Sequence, residues 1–279
     1  NGWEFFDFNA PMTEINQRLQ QERPSFTICG NDRIHPDNDG HMVMAYLFLK
    51  AQGFTGHPVA EVHIDAGKQQ IVRTAQCDVT GLTRTPDGLK FRYLAHALPY
   101  PLDTIARGWG AKQSQAAAAK IVPFVEEMNQ EILKISGLKG DYQLLIDQEA
   151  IDTFTAAQLE QGINLAAISH TPQYQQALKV MFLNEERWEI ERRFRDLAWV
   201  QYNFFQPRGL LNADNRKALE VLDQHIGSDG WLRGRRDLYA KAMHPEVRQA
   251  WEEEQAVLLR RMREISVPVP REFTLVRVK

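Results

Sequence analysis

The stretch that decides both the fold class and the chemistry of this chain is a polar turn followed by an apolar segment. It reads Asp32-Arg33-Ile34-His35-Pro36-Asp37-Asn38-Asp39-Gly40-His41 and continues as Met42-Val43-Met44-Ala45-Tyr46-Leu47-Phe48-Leu49-Lys50. The first part is dense in turn-forming residues, which predicts a loop. The second part is apolar almost all round, which predicts a helix that is buried against its neighbours. Catalytic side chains are often carried by loops on such a rigid base.

Asp32 and His35 are the candidate catalytic residues of this loop. An aspartate three residues before a histidine on a tight turn can fold back, so that its carboxylate meets Nδ1 of the imidazole. That contact would fix the tautomer and stabilise the imidazolium, which leaves Nε2 to take a proton from a nucleophile. The alternative is that both are ordinary turn residues, since Asp, Asn, His, Pro and Gly are all frequent in turns.

The run from Asp32 to His41 resembles the last sequence block of the SGNH/GDSL hydrolases, whose common form is Asp-Gly-x-His-Pro, a few polar residues, then Gly-His at a helix start. The resemblance implies a flavodoxin-like, three-layer α/β/α domain and a serine esterase with lipase-like, bacterial relatives. It implies His35 as the base and Asp32 as the acid that orients it. Arg33 departs from the family form, where many members have Gly.

The other blocks of that family do not appear in the chain. None of its six serines stands in a Gly-Asp-Ser block after a strand, and Gly-x-Ser-x-Gly is missing too. Gly30-Asn31-Asp32 echoes the family's oxyanion block, but it adjoins the histidine block, and one loop can hardly serve as both. We therefore expect a fragment or processed chain that is inactive by itself, with the nucleophile on a missing N-terminal segment.

The sequence predicts an α/β fold in two parts. Residues 1–56 are assigned to the C-terminal portion of the SGNH domain, and 57–279 to an accessory region with a small sheet and a long helical hairpin at about 172–266. Two motifs, 124–129 and 162–166, resemble an accessory region found after this block in some bacterial SGNH proteins. The predicted strands are 5–8, 25–29, 59–65, 70–79, 89–94, 142–146, 150–154 and 273–278, and the predicted helices include 116–135, 172–205 and 244–265.

Composition bounds the function classes further. The chain has 279 residues, 43% of them hydrophobic and 25% charged, with a net charge of −3, which is typical of a globular protein and does not favour a nucleic-acid partner. The longest apolar run is too short to span a bilayer. Two cysteines and scattered histidines such as His57 and His63 do not suggest a metal site, and the expected chemistry needs no cofactor.

Two functions remain open from the sequence. In the first, the complete protein hydrolyses an ester of a small molecule or an acylated carbohydrate, with the periplasm or the exterior as the compartment that the resemblance suggests. In the second, the chain is a non-catalytic binding or scaffold module, in which Asp32 and His35 only form a turn. Aromatic residues from Trp188 to Phe205 fall near helical spacing, which favours a core stripe over a sugar-binding platform.

Overall fold

A computed structural model describes residues 5–30, 32–106 and 113–278. Two helices come first, followed by a region of strands with short helices, then a helical region and a last strand. The helices are α1 (Asn9–Glu22), α2 (Asn38–Ala51), α3 (Gln115–Ala118), α4 (Phe124–Met128), α5 (Ala156–Gln161), α6 (Pro172–Trp199), α7 (Arg216–His225), α8 (Gly230–Arg233), α9 (Arg236–Ala242) and α10 (Pro245–Ile265). The strands are β1 (Ala60–Asp65), β2 (Gln70–Ala75), β3 (Cys77–Thr85), β4 (Gly88–Ala95), β5 (Glu131–Ser136), β6 (Asp141–Ile146), β7 (Glu149–Thr155), β8 (Ile163–Asn164) and β9 (Arg271–Arg277).

The strands form two sheets around one apolar core. A four-stranded sheet has the order β2-β1-β5-β8, with β1 and β5 parallel, and a five-stranded antiparallel sheet has the order β3-β4-β9-β6-β7. Inward side chains of both sheets are fully buried together, among them Ile64, Leu133, Phe91, Leu144 and Phe273. The mixed α/β class predicted from the sequence is confirmed, and so is the helical region near the C-terminus.

Four predicted elements differ from the structure. The predicted strand over 70–79 is two strands in different sheets, because Gln76 has a left-handed φ of 54° and the chain turns there. The predicted helix over 116–135 is wrong. Its first part is three short helical pieces interrupted at Pro123, and its end is β5, whose alternate residues are buried because it pairs with β1.

The strands predicted at 5–8 and 25–29 do not form either. Residues 5–7 have no regular structure, and the second segment makes a single antiparallel bridge between Cys29 and Pro36. An extended segment needs a neighbouring ladder to become a strand. Within the described ranges neither segment has one.

The chain divides into two compact units with other limits than the predicted ones. The first unit is Asn1–Ala177 with Val267–Lys279, and the second is Leu178–Ser266. The predicted boundary between 56 and 57 lies inside the first unit, and as a statement about domain origin it stays a prediction.

The second unit is helical and has its own apolar core. Long helix α6 enters it and is followed by a π-helix, Val200–Phe205, and α10 returns along it with Phe194 against Trp251 and Arg193 bonded to Glu254. The core contains Val200, Phe204, Phe205, Leu222 and Tyr239. The predicted aromatic core stripe is correct only in part, because Trp188 and Tyr202 are about half exposed.

Candidate functional site

The loop from Gly30 to Pro36 is closed by its own backbone. The N–H of Gly30 donates to the carbonyl of His35 at 2.7 Å, and the N–H of Arg33 donates to the carbonyl of Gly30 at 2.9 Å. The bridge between Cys29 and Pro36 closes the base of the loop. Arg33 has a φ of 59°, a left-handed conformation that glycine adopts at the least cost. This conformation explains why a glycine suits that position in the family form.

Asp32 is the centre of the loop's hydrogen bonds. Its Oδ1 accepts from the backbone N–H groups of Ile34 at 3.0 Å and His35 at 3.1 Å, and its Oδ2 lies 2.6 Å from Nδ1 of His35. These bonds lower the pKa of Asp32 to about 2, the bond from the His35 ring having the largest effect. An ionised Asp32 makes Nδ1 of His35 the donor, which leaves Nε2 for other chemistry. The predicted contact between the two side chains is therefore confirmed, whereas their catalytic role stays a prediction.

The loop is fixed to the start of α2. Oδ1 of Asp37 caps that helix by accepting from the N–H of Asp39 at 2.9 Å. Gly40 lies against the loop, since a Cβ atom there would stand 2.6 Å from the carbonyl oxygen of Ile28 and 2.7 Å from Cβ of Pro36. A glycine at position 40 is thus required for the helix to approach the loop.

A distant glutamine also holds the start of α2. The amide of Asn38 donates to the carbonyl of Gln113 at 2.7 Å, and Gln113 donates to Oδ1 of Asp39. Sequence reasoning did not single out Gln113, because nothing within its own neighbourhood reveals a partner about 75 residues away. The buried Asp39 gave the only local signal, as an acidic residue in the first turn of a helix.

One face of α2 is covered from within the chain. Met42, Val43, Tyr46 and Leu47 pack with residues of the 118–124 segment, and Tyr46 donates to Oε2 of Glu127 at 2.8 Å. Met42 and Leu47 are thus buried by the accessory region, Met44 is half-buried, and Phe48 is 48% exposed. The helix gives the Asp32–His35 loop the rigid support that the sequence indicates.

The candidate base is accessible. The His35 side chain is 65% exposed and that of Asp32 is 33% exposed. Asn31, part of the stretch that echoes the oxyanion block, lies outside the described residues. The pair thus stands at the surface of the described structure.

The described serine hydroxyls are occupied elsewhere or lie in turns. Ser114 caps α3, and the Ser136 hydroxyl lies 3.2 Å from Nε2 of His63. The hydroxyls of Ser228 and Ser266 each donate to the backbone carbonyl three residues earlier. Two further histidine rings lie against backbone carbonyls, and Nδ1 of His225 is 2.7 Å from the carbonyl of Val221. His170 Nε2 lies 2.7 Å from the carbonyl of Ile151.

The structure offers no evident metal centre or membrane span in the ranges that it describes. Within 5–30, 32–106 and 113–278, His, Cys, Asp and Glu form no group of three or more suited to hold a metal ion. In the same ranges, no helix combines the length and apolarity required to cross a bilayer.

Two comparisons with known proteins find similarity to this chain. Residues 178–267 match the family model of the diltiazem deacetylase C-terminal helical domain. A solved structure described as a gut microbial diltiazem-metabolizing enzyme is 60% identical and superposes with a TM-score of 0.96 over 100% of this chain. The chain spans 63% of the length of that protein. A search of curated proteins finds no match.

The family-model match and the second compact unit have nearly the same boundaries. The residues matched by the helical-domain model, 178–267, coincide almost completely with the second compact unit, Leu178–Ser266. The candidate pair Asp32–His35 lies in the first unit. Similarity to a diltiazem-metabolizing enzyme therefore covers the whole chain, and the family model matches the helical unit separately.

Proposed function

We propose that the complete protein is an SGNH-type serine esterase, and that this chain supplies its acid–base pair. The observation that carries the proposal is the bond between Oδ2 of Asp32 and Nδ1 of His35, at 2.6 Å, on a loop fixed to a capped helix. The likeness to a diltiazem-metabolizing enzyme over the whole chain supports a hydrolase.

In the proposed mechanism, Nε2 of His35 takes the proton of a serine hydroxyl while the serine oxygen attacks the ester carbonyl carbon. The tetrahedral intermediate collapses, the C–O bond to the alcohol breaks, and the imidazolium returns its proton to the leaving alcohol. Water then repeats the sequence on the acyl-enzyme and releases the acid. Asp32 stays ionised throughout and stabilises the imidazolium, which suits a carboxyl whose pKa is about 2.

The serine would come from a segment outside this chain. The share of the solved relative that the chain spans, 63%, is compatible with a further segment of the complete protein. The 65% exposure of the His35 side chain supports the same proposal, because a base that serves a nucleophile on another segment must lie at the surface of this one. On this proposal the chain by itself is inactive.

The proposed substrate is an ester of a small molecule. A relative described as diltiazem-metabolizing and a family model described as a diltiazem deacetylase domain favour a short acyl group, such as acetyl. An acylated carbohydrate is the second class of substrate that we propose to test, because it carries the same acyl ester on a sugar hydroxyl.

A serine-directed fluorophosphonate probe tests the proposal on the complete protein. We expect one labelled serine, located by peptide mass spectrometry outside residues 1–279, and hydrolysis of p-nitrophenyl acetate that stops once labelling is complete. If the protein is not labelled and does not hydrolyse the ester, the non-catalytic binding module becomes the better interpretation. Hydrolysis that persists after full labelling would point to a different mechanism.

A further inference from the structure

A carboxyl group that the proposed mechanism does not use lies in the core of the first unit. Glu131, the first residue of β5, is 1% exposed. Its Oε1 accepts from the hydroxyl of Tyr93 at 2.9 Å and from Nε2 of Gln173 at 3.1 Å. Gln173 is 5% exposed and lies in the first turn of α6. The carboxyl group therefore links the sheet to the start of the long helix.

Two buried oxygen atoms of this cluster lack a hydrogen-bond donor within the described part of the chain. Oε2 of Glu131 and Oε1 of Gln173 are both buried, and neither has a hydrogen-bond partner among the described residues. If Glu131 is ionised, both atoms are acceptors that face no donor, which costs free energy for each. A proton on Oε2 converts that atom into a donor.

One of the two hydrogen bonds of an acid–amide pair is already present. Nε2 of Gln173 already donates to Oε1 of Glu131, so a protonated Oε2 can donate to the carbonyl oxygen of the same amide. The two bonds then close a ring in which the acid and the amide each donate once and accept once. A single proton thus satisfies both buried atoms.

The surroundings favour the neutral acid. The groups that face Glu131 from the packed elements are the Tyr93 hydroxyl on β4, the Cys77 thiol on β3 and the Gln173 amide on α6, and none of these is a cation. Burial raises the pKa of Glu131 to about 7, against the smaller opposing effect of the two hydrogen bonds that it accepts. A buried carboxylate without a cation is costly, and the usual response is to bind a proton.

We propose that Glu131 is a neutral acid paired with the Gln173 amide, and that this pair is a pH-sensitive clasp holding the first turn of α6 on the sheet. The clasp is closed while Oε2 carries its proton. Loss of the proton leaves a carboxylate next to the Gln173 carbonyl oxygen, and the clasp opens.

The sign of the pH effect follows from linkage. Because the folded-state pKa lies above the ordinary value of 4.5, the folded protein binds this proton more tightly than the unfolded chain does. The stabilisation by the clasp is complete below pH 4.5, and it is lost as the pH rises from there to about 7. Above that range no further loss arises from this group.

Infrared difference spectroscopy of the complete protein tests the clasp directly. Exposed carboxyls are ionised at pH 6, so a C=O stretch of a protonated carboxylic acid at that pH reports a buried acid. We expect such a band, its loss on titration through about pH 7, and its absence in Glu131→Gln. The exposed Glu160→Gln is the matched control and should retain the band.

Thermal unfolding supplies the second readout. Glu131→Gln keeps the ring, because its amide donates where the acid proton did, but it cannot titrate. Between pH 5 and 8 the Tm of the wild type and of Glu160→Gln should fall more than that of Glu131→Gln. If Glu131→Gln does not fold, Gln173→Met should shift the acid band of the otherwise native protein to higher frequency. A wild type without the band at pH 6, or a Glu131→Gln variant with an unchanged pH slope, would overturn the proposal.

Discussion

The backbone of Ile28 lies so close to Gly40 that position 40 has no room for a side chain. A Cβ atom on Gly40 would be 2.6 Å from the carbonyl oxygen of Ile28, a distance that real Cβ atoms essentially never show. Since Ile28 precedes the loop and Gly40 lies in the helix behind it, this contact sets how closely the Asp32–His35 loop rests on its support.

Gly40→Ala should therefore move the loop. We expect a loss of about 1–3 kcal/mol in the free energy of unfolding, as for other overpacked sites, together with lower esterase activity of the complete protein. Denaturant unfolding and p-nitrophenyl acetate assays measure the two effects. Gly227→Ala, where a Cβ atom meets open space, is the control and should change neither. A Gly40→Ala protein as stable and active as the wild type would mean that the loop is not held by this contact.

Arg33→Gly should retain activity and raise stability. A left-handed φ costs an L-residue roughly 1–2 kcal/mol, of which glycine recovers part after its own entropic cost of roughly 0.5–1 kcal/mol. The expected gain is up to about 1 kcal/mol. Arg33→Val, β-branched at the same φ, should be destabilising instead. Equal stabilities for the two variants in urea would argue that the turn relaxes to another conformation.

His35→Ala should reduce kcat of the complete protein on p-nitrophenyl acetate by at least about 10³, because base and nucleophile act as a unit. Asp32→Asn should cost as much or less, since it disturbs the orientation of the imidazole and leaves the ring in place. His57→Ala, an exposed histidine outside the site, is the matched control. Activity of His35→Ala within a factor of a few of the wild type would exclude His35 as the base.

Protonation of Asp32 should open the loop only in strong acid. Its folded-state pKa of about 2 lies below the ordinary 3.8, so its contribution is present above pH 3.8 and is lost as the pH falls through about 2. The amide NMR shifts of Ile34 and His35 should report that midpoint, because both N–H groups donate to Asp32. A midpoint near 3.8 would indicate that the hydrogen bonds do not persist in solution.

The chain of 279 residues, expressed alone, should show no turnover of p-nitrophenyl acetate above a heat-treated sample. The reason is that none of its serines stands in a nucleophile block, although the acid–base pair is formed. Turnover that one serine-to-alanine substitution abolishes would identify a nucleophile in this chain. Turnover that survives replacement of all six serines would indicate chemistry without a serine.

The local features of the candidate site could be predicted from the sequence. The three-residue spacing of Asp32 and His35 in a turn-rich stretch predicted the hydrogen bond between them. The polar turn before an apolar run predicted the start of α2. Such features depend on residues within one or two turns of one another, whose geometry the backbone limits to a few conformations. The starts of α6 and α10 were predictable for the same reason, since Pro172 and Pro245 lie in their first turns.

Only the tertiary structure decided the features that depend on distant residues. The segment Glu131–Ser136 follows an alanine-rich stretch that favours helix, yet it is a strand, because β1 offers a parallel partner more than 60 residues earlier. The last strand, β9, lies in the middle of its sheet between β4 and β6. The bond from Gln113 to Asp39 and the pairing of Glu131 with Gln173 are of the same kind. Spacing along the chain carries no record of such contacts, because they form only when burial brings separate segments together.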